Sequence, residues 1–364
     1  MKNLAIVTRN MGAGGAERVI AQLLSAWVRK GISCTLISVH PGTLFYDIPE
    51  QVTYLPIPEF STGHYRNKLQ KYRYLRKLLK TRKPDVILSL PEDIGIFVVL
   101  ALLGTGIPVV VSERNNPWVM PDRKITRFLR RIAYPFARGL IFQTKEAAAF
   151  FPEFQRKKGI VLPNPLDLSR LPEPYTGERS RTVVSAGRLE EQKNFPLLIR
   201  AFAEFHKTHP DYSLILYGEG RRRAELERLA GQCLPAESWS MPGNVDDLPY
   251  RISRCGIFAL SSDYEGIPNV LIEAMAVGTP VVSTDCAPGG AASLLRDGEN
   301  GRLVPVGNVR ALAEGMAFLA DHPSEAAAMA EKARTIRTAL DAEKISEDWL
   351  SYLETCAAFP RKQK

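Results

Sequence analysis

The apolar residues of the chain alternate between short uninterrupted runs and longer stretches of helical periodicity. Runs such as Asn3–Thr8 (NLAIVT) and Asp85–Leu90 (DVILSL) are rich in Val, Ile and Leu, as strands buried on both faces of a parallel sheet are. Segments such as Ala16–Gly31 repeat apolar residues every three or four positions, which predicts amphipathic helices. This alternation predicts an α/β fold with doubly wound parallel sheets.

The alternation pauses once, in a stretch rich in proline and charge at 163–180. Six strand-like runs precede this stretch and six follow it, so we predict two Rossmann-like domains that face each other across a cleft. The predicted segments are a first domain at 1–167, a linker at 168–180, a second domain at 181–340 and a last helix at 341–364. The periodicity does not fix the domain of that helix, which can cross back to the first domain.

The composition is that of a globular protein without disulfide bonds. With 364 residues and 45% hydrophobic content, the chain is long enough for two domains. Its five cysteines form no CxxC motif, which favours reduced thiols and a cytoplasmic location. The apolar run after Met1 is too short for a signal peptide. The uncharged segment Ile94–Val111 is interrupted by Gly104–Pro108, so we predict a helix and a buried strand there rather than a membrane span.

Positive charge is concentrated in the first half of the chain. The net charge is +9, and the segments His64–Lys83 and Asp122–Arg138 combine many Lys and Arg with interleaved aromatic and aliphatic residues. This pattern predicts basic amphipathic helices at an anionic membrane surface or near phosphates. The alternative is a solvated basic face with its leucines packed inward. No zinc-finger spacing or RNA-binding aromatic motif accompanies the charge, so we predict no nucleic acid partner.

A glycine-rich turn follows the first predicted strand. Gly12, Gly14 and Gly15 allow a ligand to approach the backbone, and the helix start behind them favours an anion. Glu17 occupies the position at which dinucleotide-binding proteins have their third glycine, so a nicotinamide cofactor is not expected. Tight packing of the turn is the alternative.

Two acids eight residues apart flank a predicted helix start in the segment SSDYEGIPNVLIEAMAVGTPVV. Pro268 suits the first position of a helix that ends near Gly278. Glu265 then precedes the helix and Glu273 lies inside it, while the amides of residues 269–271 are donors suited to a phosphate. A ligand with both hydroxyls and phosphates, such as a nucleotide sugar, fits this arrangement. An acid near the helix start and an exposed helical acid, without any ligand, are the alternative.

Two cations in the first strand-to-helix loop of the second domain complete the candidate site. Arg188 and Lys193 follow the strand TVVSAG and can supply positive charge to a leaving diphosphate. The sequence lacks the P-loop, HExxH, GxSxG and Asp-x-Asp motifs, and its histidines have no ligand spacing. We therefore predict no cofactor and a mechanism without a metal ion.

Six segments of the sequence resemble motifs of one enzyme family. They are GGAERV, SAGRLEEQKNFPLLIRAF, LILYGEG, MPGNVDDLP, SSDYEGIPNVLIEAMAVGTPVVSTD and DGENGRLVPVGN. They are similar to motifs of the retaining glycosyltransferases of family 4, which have the GT-B fold, and the resemblance extends over nearly the whole chain. The segment VVVSERNNP and the basic early helix are similar to bacterial enzymes that add sugars, including N-acetylgalactosamine, to polyprenyl-diphosphate-linked oligosaccharides.

The resemblance implies a role for each matching residue. Catalytic roles fall on Arg188, Lys193 and Glu265. Donor contacts fall on Gly15, Gly218, Gly220, Gly243, Asn244, Gly266, Ile267, Asn269, Val270, Leu271 and Glu273. Acceptor contacts fall on Gly14, Lys68, Lys71, Glu113 and Arg114. Many members have a histidine near the reacting sugar where this chain has Ser112–Asn115, so Glu113 and Arg114 are the candidates in its place.

The expected function is therefore transfer of a hexose or N-acetylhexosamine from a UDP-sugar to a lipid-linked glycan, by an enzyme on the inner face of the cell membrane. The resemblance implies retention of configuration, by a same-face substitution in which the leaving phosphate helps to take the acceptor proton. A non-catalytic sugar-nucleotide or glycan-binding scaffold and a sugar-nucleotide epimerase of the same architecture are the alternatives.

Overall fold

The computed structural model describes residues 1–12 and 14–358. One structural unit comprises the described residues of 1–165 together with 342–358, and the other comprises Leu166–Asp341. Each unit contains a parallel sheet with helices, which confirms the predicted α/β fold. The stretch predicted as a linker lies in the second unit, where it includes a 3-10 turn at Leu168–Arg170.

Seven parallel strands form the sheet of the first unit. They are β1 (Asn3–Thr8), β2 (Ser33–Ser38), β3 (Thr53–Pro56), β4 (Val86–Ser89), β5 (Val109–Ser112), β6 (Gly139–Phe142) and β7 (Gly159–Val161). Their order is β3-β2-β1-β4-β5-β6-β7, so the chain changes direction across the sheet between β1 and β4. Strand β3 was not predicted, because this partly exposed edge strand has no apolar run.

The helices of the first unit cover both faces of this sheet. They are α1 (Gly15–Arg29), α2 (His64–Arg82), α3 (Glu92–Ala101), α4 (Lys124–Ala133), α5 (Lys145–Ala149), α6 (Glu153–Arg156) and a C-terminal helix at Ala342–Ala358. The C-terminal helix packs on α1, where Trp27 and Trp349 are fully buried and the Trp27 indole donates to the Ser346 carbonyl at 3.0 Å. Helix α3 and strand β5 confirm the predicted helix and buried strand in the uncharged segment. Within the described ranges, no helix has both the length and the apolar content needed to cross a membrane.

Six parallel strands form the sheet of the second unit. They are β8 (Ser180–Ala186), β9 (Ser213–Tyr217), β10 (Trp239–Gly243), β11 (Cys255–Leu260), β12 (Val281–Thr284) and β13 (Arg302–Val304), in the order β10-β9-β8-β11-β12-β13. The helices are α7 (Phe195–His206), α8 (Arg223–Cys233), α9 (Leu248–Arg254), α10 (Asn269–Ala276), α11 (Val309–Asp321), α12 (Pro323–Ala333) and α13 (Ile336–Ala339).

Alternate residues of the central strands pack into different cores on the two faces of this sheet. Val183 and Ile257 join the core that contains α7, whereas Val184 and Phe258 join the core that contains α10. The loops at the carboxyl ends of β8 and β11 are therefore anchored by strands buried on both faces. These loops carry the cations and the first of the two acids that the sequence singled out.

Candidate functional site

Close backbone contacts shape the loops after β8 and β9 in the second unit. Gly218 has φ +129°, and a β-carbon at this position would lie 2.0 Å from the Gly187 carbonyl oxygen. A β-carbon on Gly220 would lie 2.5 Å from the Leu189 carbonyl oxygen. Only glycine fits at these points, so the two loops lie directly against each other at the carboxyl edge of the sheet.

An ion pair joins the loop after β8 to the loop after β11. Lys193 ends a 3-10 turn, and its ammonium lies 2.5 Å from Oε1 of Glu265. The same oxygen accepts from the Ser262 hydroxyl at 2.7 Å, and Oε2 accepts from the Gln192 amide at 3.2 Å. The Lys193 and Glu265 side chains are only 13% and 9% exposed. The structure therefore brings together two of the predicted catalytic residues and surrounds the carboxylate with donors.

Arg188, the third predicted catalytic residue, lies in the same loop as Lys193 but is exposed. Its side chain makes no hydrogen bond or ion pair with the part of the chain that the structure describes. Because a guanidinium is always charged and presents a planar set of donors, Arg188 remains available for an anionic ligand.

Helix α10 differs from its prediction at its first turn. The helix begins at Asn269, with Pro268 as its N-cap residue. The amide of Leu271 donates to the Pro268 carbonyl at 3.1 Å, so the expectation that Leu271 offers an unpaired amide to a phosphate was wrong. A 3-10 contact satisfies that donor, as is common in the first turn of a helix.

The remaining predicted donor-site residues of the second unit lie in α10 or on the segments around it and around β9 and β10. Glu273 is buried inside α10, Ile267 is buried, and Asn269 and Val270 are partly exposed. A β-carbon on Gly290 would overlap the Gly266 carbonyl oxygen at 1.5 Å, so the loop before α10 is closely packed. Gly243 has φ +86° and accepts from the Gly218 amide at 2.9 Å, and the exposed Asn244 follows it.

In the first unit, the glycine-rich turn leads into α1 as predicted. Gly14 is the N-cap residue, its amide donates to the Gly12 carbonyl at 2.9 Å, and Gly15 is the first helical residue. A β-carbon on Gly14 would lie 2.0 Å from the Glu17 carboxylate. The acid that replaces the third glycine of dinucleotide-binding proteins therefore lies against the turn.

Glu113 was predicted to contact an acceptor, but the structure places its side chain in the interior, where it is 1% exposed. Its carboxylate accepts from the Tyr134 hydroxyl and lies 3.5 Å from an Arg130 guanidinium nitrogen. Burial raises the pKa of Glu113 to about 7. Arg130 in turn donates to the carbonyls of Pro117 and Met120, so Glu113 supports the loop after β5 and does not reach its surface.

Arg114 is partly buried beside this cluster. Its guanidinium donates to Oδ1 of Asn164 at 2.6 Å and lies over the Trp349 ring, 5.8 Å from its centroid. Burial lowers the pKa of Arg114 to about 10, and the Glu92 carboxylate opposes that shift. The contacts of Arg114 are thus with the chain leaving β7 and with the C-terminal helix.

The two predicted acceptor residues of α2 have different environments. Lys68 is exposed. Lys71 is 3% exposed and donates to the Val39 carbonyl and the Glu59 carboxylate, so its position does not fit the direct acceptor contact that was predicted for it. Sequence reasoning also missed Gln192, Ser262 and His40, although each lies near the carboxyl end of a predicted strand.

The chain matches two family models. Residues 13–170 match the model described as Glycosyltransferase Family 4, and residues 173–336 match the model described as Glycosyl transferases group 1.

Curated relatives match nearly end to end. A Campylobacter jejuni N-acetylgalactosamine-N,N'-diacetylbacillosaminyl-diphospho-undecaprenol 4-alpha-N-acetylgalactosaminyltransferase is 32% identical over 97% of this chain and 100% of its own length. The lipopolysaccharide core biosynthesis glycosyltransferase LpsE of Rhizobium meliloti is 33% identical over 93% of this chain and 96% of its own length.

Solved structures with low sequence identity have the same fold. The sucrose-phosphate synthase of Thermosynechococcus elongatus superposes with a TM-score of 0.85 at 18% identity, covering 99% of this chain and 100% of that one. HepE of Anabaena, crystallised with UDP and glucose, superposes with a TM-score of 0.81 at 18% identity. The match covers 98% of this chain and 100% of the HepE chain. Together with the full-length relatives, these matches show that the chain belongs to the group 1 glycosyl transferases and has their GT-B fold of two α/β domains.

Proposed function

We propose that this glycosyltransferase moves a hexose or N-acetylhexosamine from a UDP-sugar to a polyprenyl-diphosphate-linked glycan, with retention of configuration and without a metal ion. The observation that carries the proposal is the Lys193–Glu265 pair beside the exposed Arg188. The name of the Campylobacter jejuni relative specifies a diphospho-undecaprenol acceptor, and HepE was crystallised with UDP. Both names support the choice of substrates.

The contacts of Glu265 suit it to bind the donor sugar. A carboxylate can accept about four hydrogen bonds, and Lys193, Ser262 and Gln192 supply three. The remaining capacity accepts a sugar hydroxyl. The Lys193 ammonium pairs with this carboxylate and contributes positive charge toward the diphosphate.

Arg188 then acts on the leaving group. Its exposed guanidinium stabilises the negative charge that develops on the nucleoside diphosphate as the glycosidic bond breaks. Glu273, buried in α10, is assigned to the ribose hydroxyls, as the resemblance implies. Retention follows if the acceptor hydroxyl attacks from the face that the diphosphate leaves, with a phosphate oxygen taking the acceptor proton.

We further propose that the first unit binds the inner face of the cell membrane, where a polyprenyl-linked acceptor is anchored. Helix α4 exposes the apolar side chains of Ile125, Phe128 and Ile132 at 62%, 57% and 42%. The exposed bases Lys124 and Arg131 accompany them on the same helix. Apolar residues with flanking bases suit a surface of anionic lipid.

The test is transfer from a panel of UDP-sugars to a polyprenyl-diphosphate glycan, with NMR of the product to assign the anomeric configuration. Arg188→Ala should lower kcat by ~10²-fold, as loss of a charge-stabilising donor does, while Arg228→Ala should not, because Arg228 is an equally exposed arginine on α8. Glu273→Gln should weaken UDP binding measured by calorimetry. Activity that EDTA abolishes would refute the metal-free mechanism, and absence of both transfer and UDP binding would refute the proposed function.

A further inference from the structure

The buried ammonium of Lys71 makes three hydrogen bonds at the carboxyl ends of β2 and β3 in the first unit. It donates to the Val39 carbonyl at 2.8 Å, to Oε1 of Glu59 at 2.5 Å and to Nδ1 of His40 at 3.2 Å. An ammonium has three donors and no acceptor. Lys71 is therefore fully used within the protein, and none of its donors remains for a ligand.

Two groups face Nδ1 of the His40 ring, the Lys71 ammonium at 3.2 Å and Oε1 of Glu59 at 3.6 Å. Because Lys71 can only donate, its closer contact requires Nδ1 to accept, and we assign the neutral imidazole with its proton on Nε2. Burial and the positive charges of Lys71 and Arg9 lower the pKa of His40, and Glu59 opposes that shift. The ring is thus held neutral, with Nε2–H as a donor in a fixed direction.

The donor of His40 is directed away from the cluster. The side chain is 54% exposed, and Nε2 makes no hydrogen bond to any of the groups that the structure describes. Glu59 differs, because its Oε1 accepts from Lys71 and its Oε2 accepts from the amide of Asn67. Of these polar groups, the Nε2–H of His40 is the donor left for a ligand, while the half-exposed Glu59 carboxylate can still accept hydrogen bonds.

His40 occupies a ligand-facing position in the fold. It lies two residues after the end of β2, and its amide donates to the Arg9 carbonyl at 2.8 Å, so it lies beside the chain that enters the glycine-rich turn. Ligands of open parallel sheets bind at this edge. Phe60 and Tyr74 form a partly exposed ring pair, with centroids 5.4 Å apart, next in sequence to Glu59 and one helical turn from Lys71. Aromatic faces beside a fixed donor are common features of small-molecule sites.

We propose that His40 is an acceptor-binding residue, whose Nε2–H donates to an oxygen of the acceptor glycan, and that Lys71 is its positioning residue. The inference rests on the proposed function, because it assumes that the first unit binds a glycan. It assigns a binding contact to a histidine with no role in the predicted site, and it gives Lys71 an indirect role in place of a phosphate contact.

Three substitutions at His40 separate the two sides of the ring. His40→Asn keeps an oxygen near the Nδ1 position for Lys71 and loses the outward donor. His40→Gln places an amide N–H near the Nε2 position, and His40→Ala removes both groups. We expect His40→Asn to raise the KM for the glycan ~5- to 10-fold, the usual cost of one lost hydrogen bond, with an unchanged KM for the UDP-sugar and an unchanged melting temperature. His40→Gln should recover most of the loss, and His322→Asn, at an exposed site in the second unit, should have no effect.

Nitrogen-15 NMR of the five histidines tests the positioning role of Lys71 directly. The wild-type ring should show the Nε2–H tautomer, and addition of the polyprenyl-diphosphate glycan should perturb its Nε2 signal. Lys71→Met should produce a mixture of tautomers and raise the pKa of the ring.

The outcomes distinguish this inference from the proposed function. If the wild type transfers sugar and His40→Asn has the wild-type KM for the glycan, the His40 assignment is wrong. If the wild type transfers no sugar but the glycan perturbs the Nε2 signal, the glycan site is supported and the proposed reaction is wrong. If the signal does not respond to the glycan, His40 has only a structural role.

Discussion

The Lys193 ammonium lies 2.5 Å from Oε1 of Glu265, so the cation predicted to bind the donor diphosphate is paired with the acid predicted to bind the donor sugar. The sequence motifs place these residues 72 positions apart. Their contact means that neither side chain can be replaced without changing the electrostatics of the other.

We expect Lys193→Met to destabilise the second unit by about 3 kcal/mol, because it leaves a mostly buried carboxylate without its counterion. Lys193→Met combined with Glu265→Gln should recover most of this loss, since a neutral amide needs no counterion. Both variants should lose transfer activity. Amide hydrogen exchange in β8 and β11 measures the stability, and equal destabilisation of the single and double variants would contradict the pairing.

The backbone contact between the loops after β8 and β9 gives a second prediction. Gly218→Ala places a β-carbon against the Gly187 carbonyl oxygen at a positive φ, so it should destabilise the second unit by about 2 kcal/mol or more and weaken UDP binding. The matched control is Gly231→Ala in α8, where a β-carbon meets no atom within 4 Å. This variant should be neutral or stabilise the helix by up to about 1 kcal/mol. Calorimetric titration with UDP checks both, and tight binding by Gly218→Ala would show that the loop can relax.

Strand runs and loop glycines were predictable because their causes are local. Buried parallel strands require uninterrupted apolar residues, and all but the partly exposed edge strand β3 were found by that pattern. The helix start at Pro268 was placed within one residue for the same reason. The Leu271 amide was misjudged because a 3-10 contact in the first turn depends on backbone geometry that no residue type specifies.

Side chains whose roles depend on long-range partners could not be placed from the sequence. Lys71 belongs to a strongly basic, largely solvated helix, and nothing in α2 indicates that this one lysine is buried under Glu59 and His40. Glu113 follows a buried strand, like a ligand-binding acid, yet Tyr134 and Arg130 contact it from later in the chain. Such contacts arise from the order of strands in the sheet and not from sequence spacing.

Glu113 should make stability depend on pH. Burial raises its folded-state pKa to about 7, above the ordinary glutamate value of 4.5. Between these pH values the folded state binds more protons than the unfolded state, so the contribution of Glu113 to the free energy of unfolding falls as pH rises from about 4.5 to about 7. The fall is at most about 1.4 kcal/mol per pH unit, and above about pH 7 this contribution no longer changes. Glu113→Gln lacks this titration. The difference in unfolding free energy between the wild type and this variant should therefore decrease over that pH range.

Chemical denaturation of both proteins at several pH values measures this difference, and the comparison with Glu113→Gln removes contributions from titrating groups that do not interact with Glu113. A difference that increases with pH would mean that the Arg130 ion pair outweighs the cost of burying the charge. In that case Glu113 would be ionised throughout and its pKa would be lowered.

The apolar stripe of α4 should determine binding to vesicles. Phe128 is 57% exposed between Ile125 and Ile132, and insertion of such a ring into lipid contributes about 1.5–3 kcal/mol, so Phe128→Glu should weaken binding to anionic vesicles by ~10-fold or more. Phe154→Glu is the matched control, because this phenylalanine is equally exposed but lies on α6. Raising the salt from about 0.1 M to 1 M, which shortens the Debye length from about 10 Å to 3 Å, should release the wild type. If vesicle affinity changes neither with lipid charge nor with Phe128→Glu, then α4 is a solvated helix that does not bind the membrane.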